Sequence, residues 1–210
     1  MLKFKNKKLL ISECASLLVE RKLFEETKDE FGLVFFGTEG TKNPLSYENV
    51  EISKRGFCRA DWDTVKYLRE HIVGTEVEGD WVDGLVVALD FLRRESEGKK
   101  YTTLKIVLFS DLGCPANADQ MDDIINGIKL LDNVDLTHIG PEWKDEDEED
   151  EPNGMNGNND EPKPGTSRGE AEKPRYTAKP RTKTQEINEN VINQIIHQTE
   201  GTACSLGNMQ

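Results

Sequence analysis

The carboxylate best placed for chemistry is Asp111, because it directly follows the apolar stretch LKIVLFS at residues 104–110. Open α/β sheets bind their ligands at the carboxyl ends of such strands. A hard cation such as Mg²⁺ needs several oxygen ligands, and no DxSxS motif on a strand supplies the others. We therefore predict that Asp111 is a lone strand-end carboxylate that caps the next turn, with no metal bound and no catalytic role.

Two short patterns imitate catalytic motifs without their context. GTSRG at residues 165–169 has the GxSxG form, but a nucleophile elbow needs a preceding strand and a following helix, which this segment lacks. Asp61 and Asp63 form a DxD pair, but no apolar strand precedes them, so they indicate a helix start. The GxxxxGK[ST] motif is absent, and Gly98 has no upstream glycine to complete a phosphate loop. We expect no cofactor.

The histidines and cysteines do not form a reactive set either. His71, His138 and His197 fall on different predicted elements, with no acid and nucleophile beside them, which is typical of structural or surface histidines. The four cysteines are far apart and include no CxxC pair, namely Cys14, Cys58, Cys114 and Cys204. We therefore expect reduced thiols, and neither a disulfide framework nor a zinc site.

The charge is strongly patterned along the 210 residues. The net charge is -13, and residues 145–151 read DEDEEDE, which argues against a surface that grips nucleic acid over its whole extent. A basic, proline-spaced segment follows, and it predicts either a weak phosphate contact or a nuclear import signal, with a solvated linker as the alternative. Its basic residues are Lys173, Arg175, Lys179, Arg181 and Lys183.

The elements that must position these residues alternate between strand and helix. Apolar residues at helical spacing and short apolar runs predict a doubly wound α/β fold with a mostly parallel sheet and helices on both faces. Asp80, and either Asp61 or Asp63, are placed to cap helices. The predicted order is helix 6–25, strand 31–37, strand 47–53, helix 63–72, helix 81–94, strand 104–110, helix 118–131, strand 134–139, a helix near 187–196, and a strand starting at 202.

One domain is predicted, with an insertion near its end. Residues 1–140 carry most of the fold, and residues 184–210 add its last helix and the start of a final strand. Between them, residues 141–183 hold too little apolar surface to offset the entropy of ordering, so we predict a disordered insertion. No stretch approaches the length of a membrane span, and the interrupted apolar start does not predict a signal peptide.

A family resemblance rests on FFGTEGTKNPLS at residues 35–46 and continues in register through YENVEI, GDWVDGLVVALDFLRRE and KIVLFSDLG. These segments resemble the amino-terminal, von Willebrand A-like domain of the large Ku subunit. The resemblance implies a non-enzymatic interaction module that pairs with the small Ku subunit in the nucleus. It also implies roles in double-strand break repair by non-homologous end joining and in telomere maintenance, with DNA ends bound only through the full heterodimer.

The same resemblance implies a docking pocket for peptide motifs of repair factors, faced by Tyr47 and Val86, with Val107 on the neighbouring strand. It further implies that the chain is truncated, because family members begin with a central apolar strand that here is missing between residues 31–37 and 104–110. Two alternatives stay open. One is the ATP-dependent DNA helicase activity sometimes credited to the family, and the other is an unrelated von Willebrand A-like scaffold.

Overall fold

The computed structural model describes residues 2–53, 56–72, 74–131, 134–141 and 181–205, with side chains from residue 11 onward. The elements in chain order are α1 (Leu2–Phe24), β1 (Glu30–Phe31), β2 (Val34–Phe36), β3 (Val50–Ile52), β4 (Cys58–Arg59), α2 (Trp62–His71), α3 (Trp81–Ser96), β5 (Leu104–Phe109), a 3₁₀ turn (Ala118–Gln120), α4 (Met121–Leu130), β6 (Val134–Gly140), α5 (Lys183–Thr199) and β7 (Thr202–Ser205). None of these helices is long and apolar enough to cross a membrane.

Polar side chains fix where the helices begin. Asp61 accepts the backbone N–H of Thr64 at 2.8 Å, so of the two predicted caps for α2 it is Asp61 that serves. Asp80 caps α3 as predicted, through the N–H of Val82 at 2.8 Å. Each cap satisfies a backbone donor that has no partner within its own helix.

A three-stranded parallel sheet forms the centre of the fold, in the order β5, β6, β7. β5 and β6 pair in register from Leu104 opposite Val134 to Phe109 opposite Ile139. Consecutive side chains of β5 point to opposite faces, so Ile106 belongs to the main core with α3, α4 and α5, whereas Phe109 packs with Cys14 of α1. Helices therefore cover both faces of a parallel sheet, which confirms the predicted α/β fold.

The predicted strand at 31–37 is wrong as one continuous element. It is divided into β1, which pairs antiparallel with β4, and β2, which pairs antiparallel with β3. The break falls at Gly32, where a Cβ atom would lie 2.3 Å from a ring carbon of Phe91, so the chain bends closely over that ring. All three residues of β2 are only half-buried. Sequence reasoning did not predict β4 at all.

Other boundaries differ by shorter distances. The predicted strand at 47–53 is shortened to β3, since Asn49 has a φ of 58° and interrupts the extended backbone just before it. α5 begins at Lys183, earlier than the apolar spacing near 187–196 indicated. Residues 142–180, most of the predicted insertion, lie outside the described residues.

The predicted gap in the sheet matches the observed topology. β2 and β3 form their own two-stranded sheet, separate from β5, β6 and β7. Within the described residues, no backbone hydrogen bond joins β2 to β5. One edge of each of these two strands is therefore left without a strand partner there.

Candidate functional site

The loop that follows β2 is braced by its own backbone. The N–H of Lys42 donates to the carbonyl of Val50 at 2.9 Å, and the carbonyl of Lys42 accepts the N–H of Ile52 at 2.9 Å. The loop leaves β2 at Gly37, whose φ of 70° lies in the left-handed region that glycine tolerates without strain. GTEGTKNPLS therefore forms a loop, as the sequence predicts, and it folds back onto β3.

Asn43 holds Tyr47 within this loop. Its Nδ2 donates to the carbonyls of Tyr47 at 2.7 Å and Val50 at 2.9 Å, and its Oδ1 accepts the N–H of Tyr47 at 3.0 Å. Tyr47 is thereby fixed in backbone position, and its hydroxyl donates to Gln120 Oε1 at 2.8 Å. A tyrosine from a loop after β2 thus reaches the residue just before α4.

Asp80 ties the start of α3 to the same region. One carboxylate oxygen caps α3, and the other accepts the N–H of Asn117 at 2.8 Å. Asn117 in turn accepts the N–H of Asp119 at 2.9 Å and so caps the 3₁₀ turn before α4. The amino ends of α3 and α4 are therefore linked. We call Tyr47, Asp80, Asp83, Asn117 and Gln120 the α3–α4 site.

The α3–α4 site carries two acidic groups, Asp80 and Asp83, both at the amino end of α3. Partial burial raises the pKa of the Asp83 carboxyl, and the neighbouring negative charge of Asp80 raises it further. Helix amino ends stabilise carboxylates, which offsets part of that effect. The site combines a fixed tyrosine, amide groups and carboxylates, a set suited to binding the polar and basic groups of a peptide.

Asp111 takes no part in a cluster of ligands. Its Oδ1 accepts the N–H of Gly113 at 3.0 Å, the turn-capping contact that the sequence predicts. Across the part of the chain that the structure describes, no group of three or more His, Cys, Asp or Glu side chains is arranged to hold a metal ion. The loop after β5 is instead held by α5, since Gln185 Nε2 donates to the carbonyl of Asp111 at 2.9 Å.

Burial shifts the pKa of two titratable side chains, His138 and Cys14. His138 lies on β6, with its Nε2 3.1 Å from the carbonyl oxygen of Ser110, and burial lowers the pKa of its imidazole. Burial also raises the pKa of the Cys14 thiol, with a smaller contribution from the charge of Glu13. A nucleophilic cysteine needs a lowered pKa, whereas the pKa of Cys14 is raised. The buried Cys14 side chain instead packs with Ile139 in the core.

The model of the Ku70/Ku80 N-terminal alpha/beta domain matches residues 2–156. The chain belongs to the Ku family. It is 36% identical over 136 residues to "X-ray repair cross-complementing protein 5" of Xenopus laevis, covering 63% of this chain and 18% of that protein. The protein of the same name from Dictyostelium discoideum is 35% identical over 146 residues, covering 68% and 18%. "ATP-dependent DNA helicase 2 subunit KU80" of Arabidopsis thaliana is 32% identical over 114 residues, covering 50% and 16%.

The chain therefore spans under a fifth of the length of these Ku relatives. The match confirms the family that the loop at residues 35–46 indicated. It also excludes the alternative of an unrelated von Willebrand A-like scaffold.

The three docking residues implied by the Ku resemblance do not share one surface. Tyr47 belongs to the α3–α4 site, and Val86 lies on α3, half-buried against the main core. Val107 lies on the other face of the sheet, where it packs with Cys14 and Ile139. The structure thus joins Tyr47 to the residue before α4 and places Val107 on the face of the sheet opposite the main core, and the docking pocket itself stays a prediction.

Sequence reasoning missed Asn117 and Gln120 as members of the site in this Ku-family domain. Neither residue belongs to a motif, and both lie where the sequence predicts the start of a helix. The only signal was Asp80, which was predicted as a helix cap. An aspartate that caps a helix with one carboxylate oxygen can accept a hydrogen bond from a second element with the other, as Asp80 does from the N–H of Asn117.

The basic residues of the predicted phosphate contact are only partly described. Arg181 is paired with Glu189, through Nε to Oε2 at 2.7 Å and Nη2 to Oε1 at 3.3 Å. Lys183 is exposed as the first residue of α5. The other three, Lys173, Arg175 and Lys179, lie outside the described residues. A phosphate contact or an import signal in this segment stays a prediction.

Proposed function

We propose that this Ku-family domain is a non-enzymatic protein-interaction module of a Ku80-type subunit in the repair of DNA double-strand breaks. In this proposal it works in the nucleus, with the small Ku subunit as its partner in a heterodimer, in non-homologous end joining and telomere maintenance. The names of two relatives refer to X-ray repair, which supports a repair role. The chain alone does not encircle DNA ends, in keeping with its net charge of -13.

The observation that carries this proposal is the fixed presentation of Tyr47 beside two helix amino ends. Asn43 immobilises the backbone of Tyr47 before any ligand arrives, so little ordering entropy remains to be lost on binding. Tyrosine is enriched among the residues that dominate binding energy, because it offers a large apolar ring and a polar tip. The α3–α4 site is therefore a docking position for peptide motifs of repair factors.

Pull-down with the small Ku subunit tests the heterodimer part of this proposal. The whole chain, tagged and purified, is expected to retain the small subunit with or without short DNA duplexes. If the small subunit were retained neither with nor without DNA, the heterodimer would be contradicted. If it were retained only with DNA, the two proteins would be bound to the same duplex and not directly to each other.

Substitution of Tyr47 tests the docking part separately. Peptides selected on the chain from a random library should bind at least about tenfold more weakly to Tyr47→Ala, because a central aromatic anchor is lost. Tyr47→Phe, which loses only the hydroxyl contact to Gln120, should cost about fivefold. Tyr67→Ala, a partly exposed tyrosine on α2, is the matched control and should bind normally. Equal binding to all three variants would refute the site.

The second candidate function is an ATP-dependent DNA helicase activity, which the name of the Arabidopsis thaliana relative favours. Against it, the sequence has no GxxxxGK[ST] phosphate loop. An ATPase assay of the chain with Asp111→Ala as the control decides between the two. Turnover that Asp111→Ala abolishes would favour the enzyme.

A further inference from the structure

The segment that joins α2 to α3 presents a threonine hydroxyl among acidic residues. Thr75 is followed by Glu76, Glu78 and Asp80, so carboxylates stand one, three and five positions after it. Thr75 and both glutamates are exposed. No other serine or threonine of the sequence has acids at all three of these positions. The hydroxyl of Thr75 therefore has a chemical setting of its own in this chain.

The backbone of this segment is accessible to a binding partner. Residues 74–79 belong to no helix or strand, and within the described residues no backbone-to-backbone hydrogen bond involves them. A Cβ atom added at Gly74 would meet nothing within 4 Å, so the surface is open beside Thr75. An enzyme that binds an extended stretch of chain around an acceptor hydroxyl can therefore reach Thr75 without unfolding a helix or a strand.

The hydroxyl of Thr75 also joins this segment to the end of β2. Its Oγ1 donates to the carbonyl of Gly37, the residue after β2, and accepts the N–H of Val77 at 3.3 Å. The two backbones are in contact beside this bond, since a Cβ atom added at Gly79 would lie 2.8 Å from the backbone nitrogen of Gly37. The hydroxyl therefore holds the start of the loop that carries Tyr47 against the residues just before α3.

We propose that Thr75 is a phosphorylation site for an acidophilic serine/threonine kinase, and that the phosphate releases the loop after β2 from the start of α3. Such a kinase binds its substrate through a basic groove, so carboxylates after the acceptor favour this segment over others. The effect of the phosphate on docking rests on the function proposed above for the α3–α4 site, whereas the phosphorylation and the release of the loop do not.

The reaction transfers the γ-phosphoryl group of ATP to Thr75. A bond forms between Thr75 Oγ1 and the γ-phosphorus. The bond from that phosphorus to the oxygen that bridges it to the β-phosphorus breaks, and ADP leaves with the electron pair. A base of the kinase takes the hydroxyl proton. Thr75 supplies only the nucleophilic oxygen, and the kinase and ATP supply the rest.

Phosphorylation removes a donor and adds negative charge at the same side chain. The esterified Oγ1 has no proton to donate to the carbonyl of Gly37, although phosphate oxygens can still accept the N–H of Val77. The phosphate also brings about −1.5 to −2 charges at neutral pH, next to a carbonyl oxygen and to three acidic residues. Both changes act against the contact between Gly37 and Gly79, so that contact should open.

The amino end of α3 offers this phosphate little compensation. Helix amino ends attract anions through N–H groups that have no partner within the helix. Here the carboxylate of Asp80 already accepts the N–H groups of Val82 and Asp83. Asp80 is the capping residue itself, whereas Thr75 lies five positions before it.

Release of the loop affects the α3–α4 site through Tyr47. Asn43 fixes the backbone of Tyr47 within the loop, but the loop itself is held beside α3 at Gly37. A released loop no longer keeps the tyrosine in one position relative to α3, so more conformational entropy is lost when a peptide binds. Phosphorylation of Thr75 should therefore weaken docking.

Treatment of the purified whole chain with casein kinase II and ATP tests the site itself. Mass spectrometry of the digested chain should locate a phosphate on Thr75, and Thr75→Ala should remove that phosphopeptide. Glu78→Gln should slow the reaction at Thr75 about fivefold, as expected for the loss of one exposed ion pair with the kinase. Glu70→Gln, an exposed acid on α2 before the acceptor, is the matched control and should leave the rate unchanged. Absence of phosphate on Thr75, or an unchanged rate for Glu78→Gln, would overturn the assignment.

Hydrogen exchange of the phosphorylated and unmodified chains measures the release of the loop. The amide of Thr38, which donates to the carbonyl of Asn49 at 3.0 Å, should exchange about fivefold faster after phosphorylation, because the neighbouring bond to Gly37 is lost. Thr75→Val removes the hydroxyl without adding charge and should have a smaller effect. Amides of β6 are the internal control. Equal exchange at Thr38 in the two forms would refute the release.

Peptide affinity completes the test and separates this inference from the docking function. Peptides selected on the chain from a random library should bind the phosphorylated chain about fivefold more weakly. The comparison is made in about 1 M salt, where the Debye length of about 3 Å limits any direct effect of the added charge. Unchanged affinity would overturn the regulatory role of Thr75. A library that yields no binding peptide would refute the docking function instead, and the kinase and exchange measurements would still decide the phosphorylation and the release.

Discussion

β6 and β2 show what complete and incomplete strand pairing do to the same kind of apolar sequence. β6 lies between β5 and β7, and its last five residues are buried. β2 pairs only with β3, and none of its residues is fully buried although it reads Val-Phe-Phe. Burial here follows the number of strand partners more closely than it follows residue type. Stability should therefore be concentrated in the β5–β6–β7 half of the domain.

Truncation of one apolar side chain in each region is the strongest way to break this comparison. Leu136→Ala in β6 removes a side chain with no exposed surface and should lower the free energy of unfolding by about 2–5 kcal/mol. Val34→Ala in β2 removes fewer atoms from a half-buried position and should cost about 1 kcal/mol. Urea denaturation followed by circular dichroism measures both. Equal losses would show that the two regions are equally well packed.

The same contrast explains which elements the sequence could predict. LKIVLFS and the six residues 134–139 have strand length and no internal glycine, and their parallel pairing follows from alternating strands and helices. Asp61 and Asp80 were found because capping is local. The division of the 31–37 run could not be found, because it depends on Gly32 meeting Phe91, which is distant in sequence.

The candidate site was less predictable than the fold for a related reason. Tyr47 came only from the family resemblance, and its partner Gln120 follows it by 73 positions. Side chains that meet through tertiary packing leave no periodic signal along the chain. Val107 was grouped with Tyr47 by the resemblance, but alternation along β5 turns it toward α1, on the face opposite α3.

Two asparagines that brace the loops after β5 and β2 sharpen the comparison further. Asn188 is buried and its Nδ2 donates to the carbonyls of Leu112 at 2.9 Å and Cys114 at 2.7 Å. Asn188→Ala leaves both acceptors without this donor, so it should lower the free energy of unfolding by about 1–3 kcal/mol. Asn43→Ala also removes an amide that donates to two carbonyls, but in a half-buried loop where water can replace that donor. It should lower the free energy of unfolding by less than about 1 kcal/mol.

Thermal unfolding of these two variants and of Asn193→Ala provides the measurement. Asn193 is exposed on the same helix as Asn188, so its replacement reports only on helix propensity and should be neutral or slightly stabilising. If Asn43→Ala lowered the free energy of unfolding as much as Asn188→Ala, the loop after β2 would exclude water as completely as the loop after β5.

The pH dependence of stability offers a test confined to the completely paired region. Burial lowers the pKa of His138 in the folded state, so the unfolded chain binds its proton more readily. Stability from this group is present above the unfolded pKa of about 6.5 and is lost as pH falls from there toward the lowered folded pKa. Urea midpoints measured between pH 7.5 and about pH 5 should decrease for the wild-type chain.

Two histidine variants assign that pH effect to its source. His138→Gln should flatten the midpoints over this range, because the titrating group is gone. His71→Gln should leave the slope unchanged, since His71 is exposed on α2 and stacks on Tyr67. A slope that survives His138→Gln would place the titrating group elsewhere in the molecule.

The smallest effect should come from a charged pair that links the strands β5 and β6. Lys105 Nζ lies 2.9 Å from Asp135 Oδ2, and the two side chains are 53% and 38% exposed. Asp135→Asn should lower the free energy of unfolding by less than about 1 kcal/mol, because an exposed ion pair is well hydrated when it is broken. The difference should shrink further in about 1 M salt, because the Debye length, over which exposed charges interact, is then only about 3 Å. Since these residues stand opposite each other in the register of the most completely paired strands, a loss comparable to that of Leu136→Ala would mean that register itself depends on the pair. A small loss would instead assign the stability of this half to its buried apolar side chains and backbone pairing, which are the features that β2 lacks.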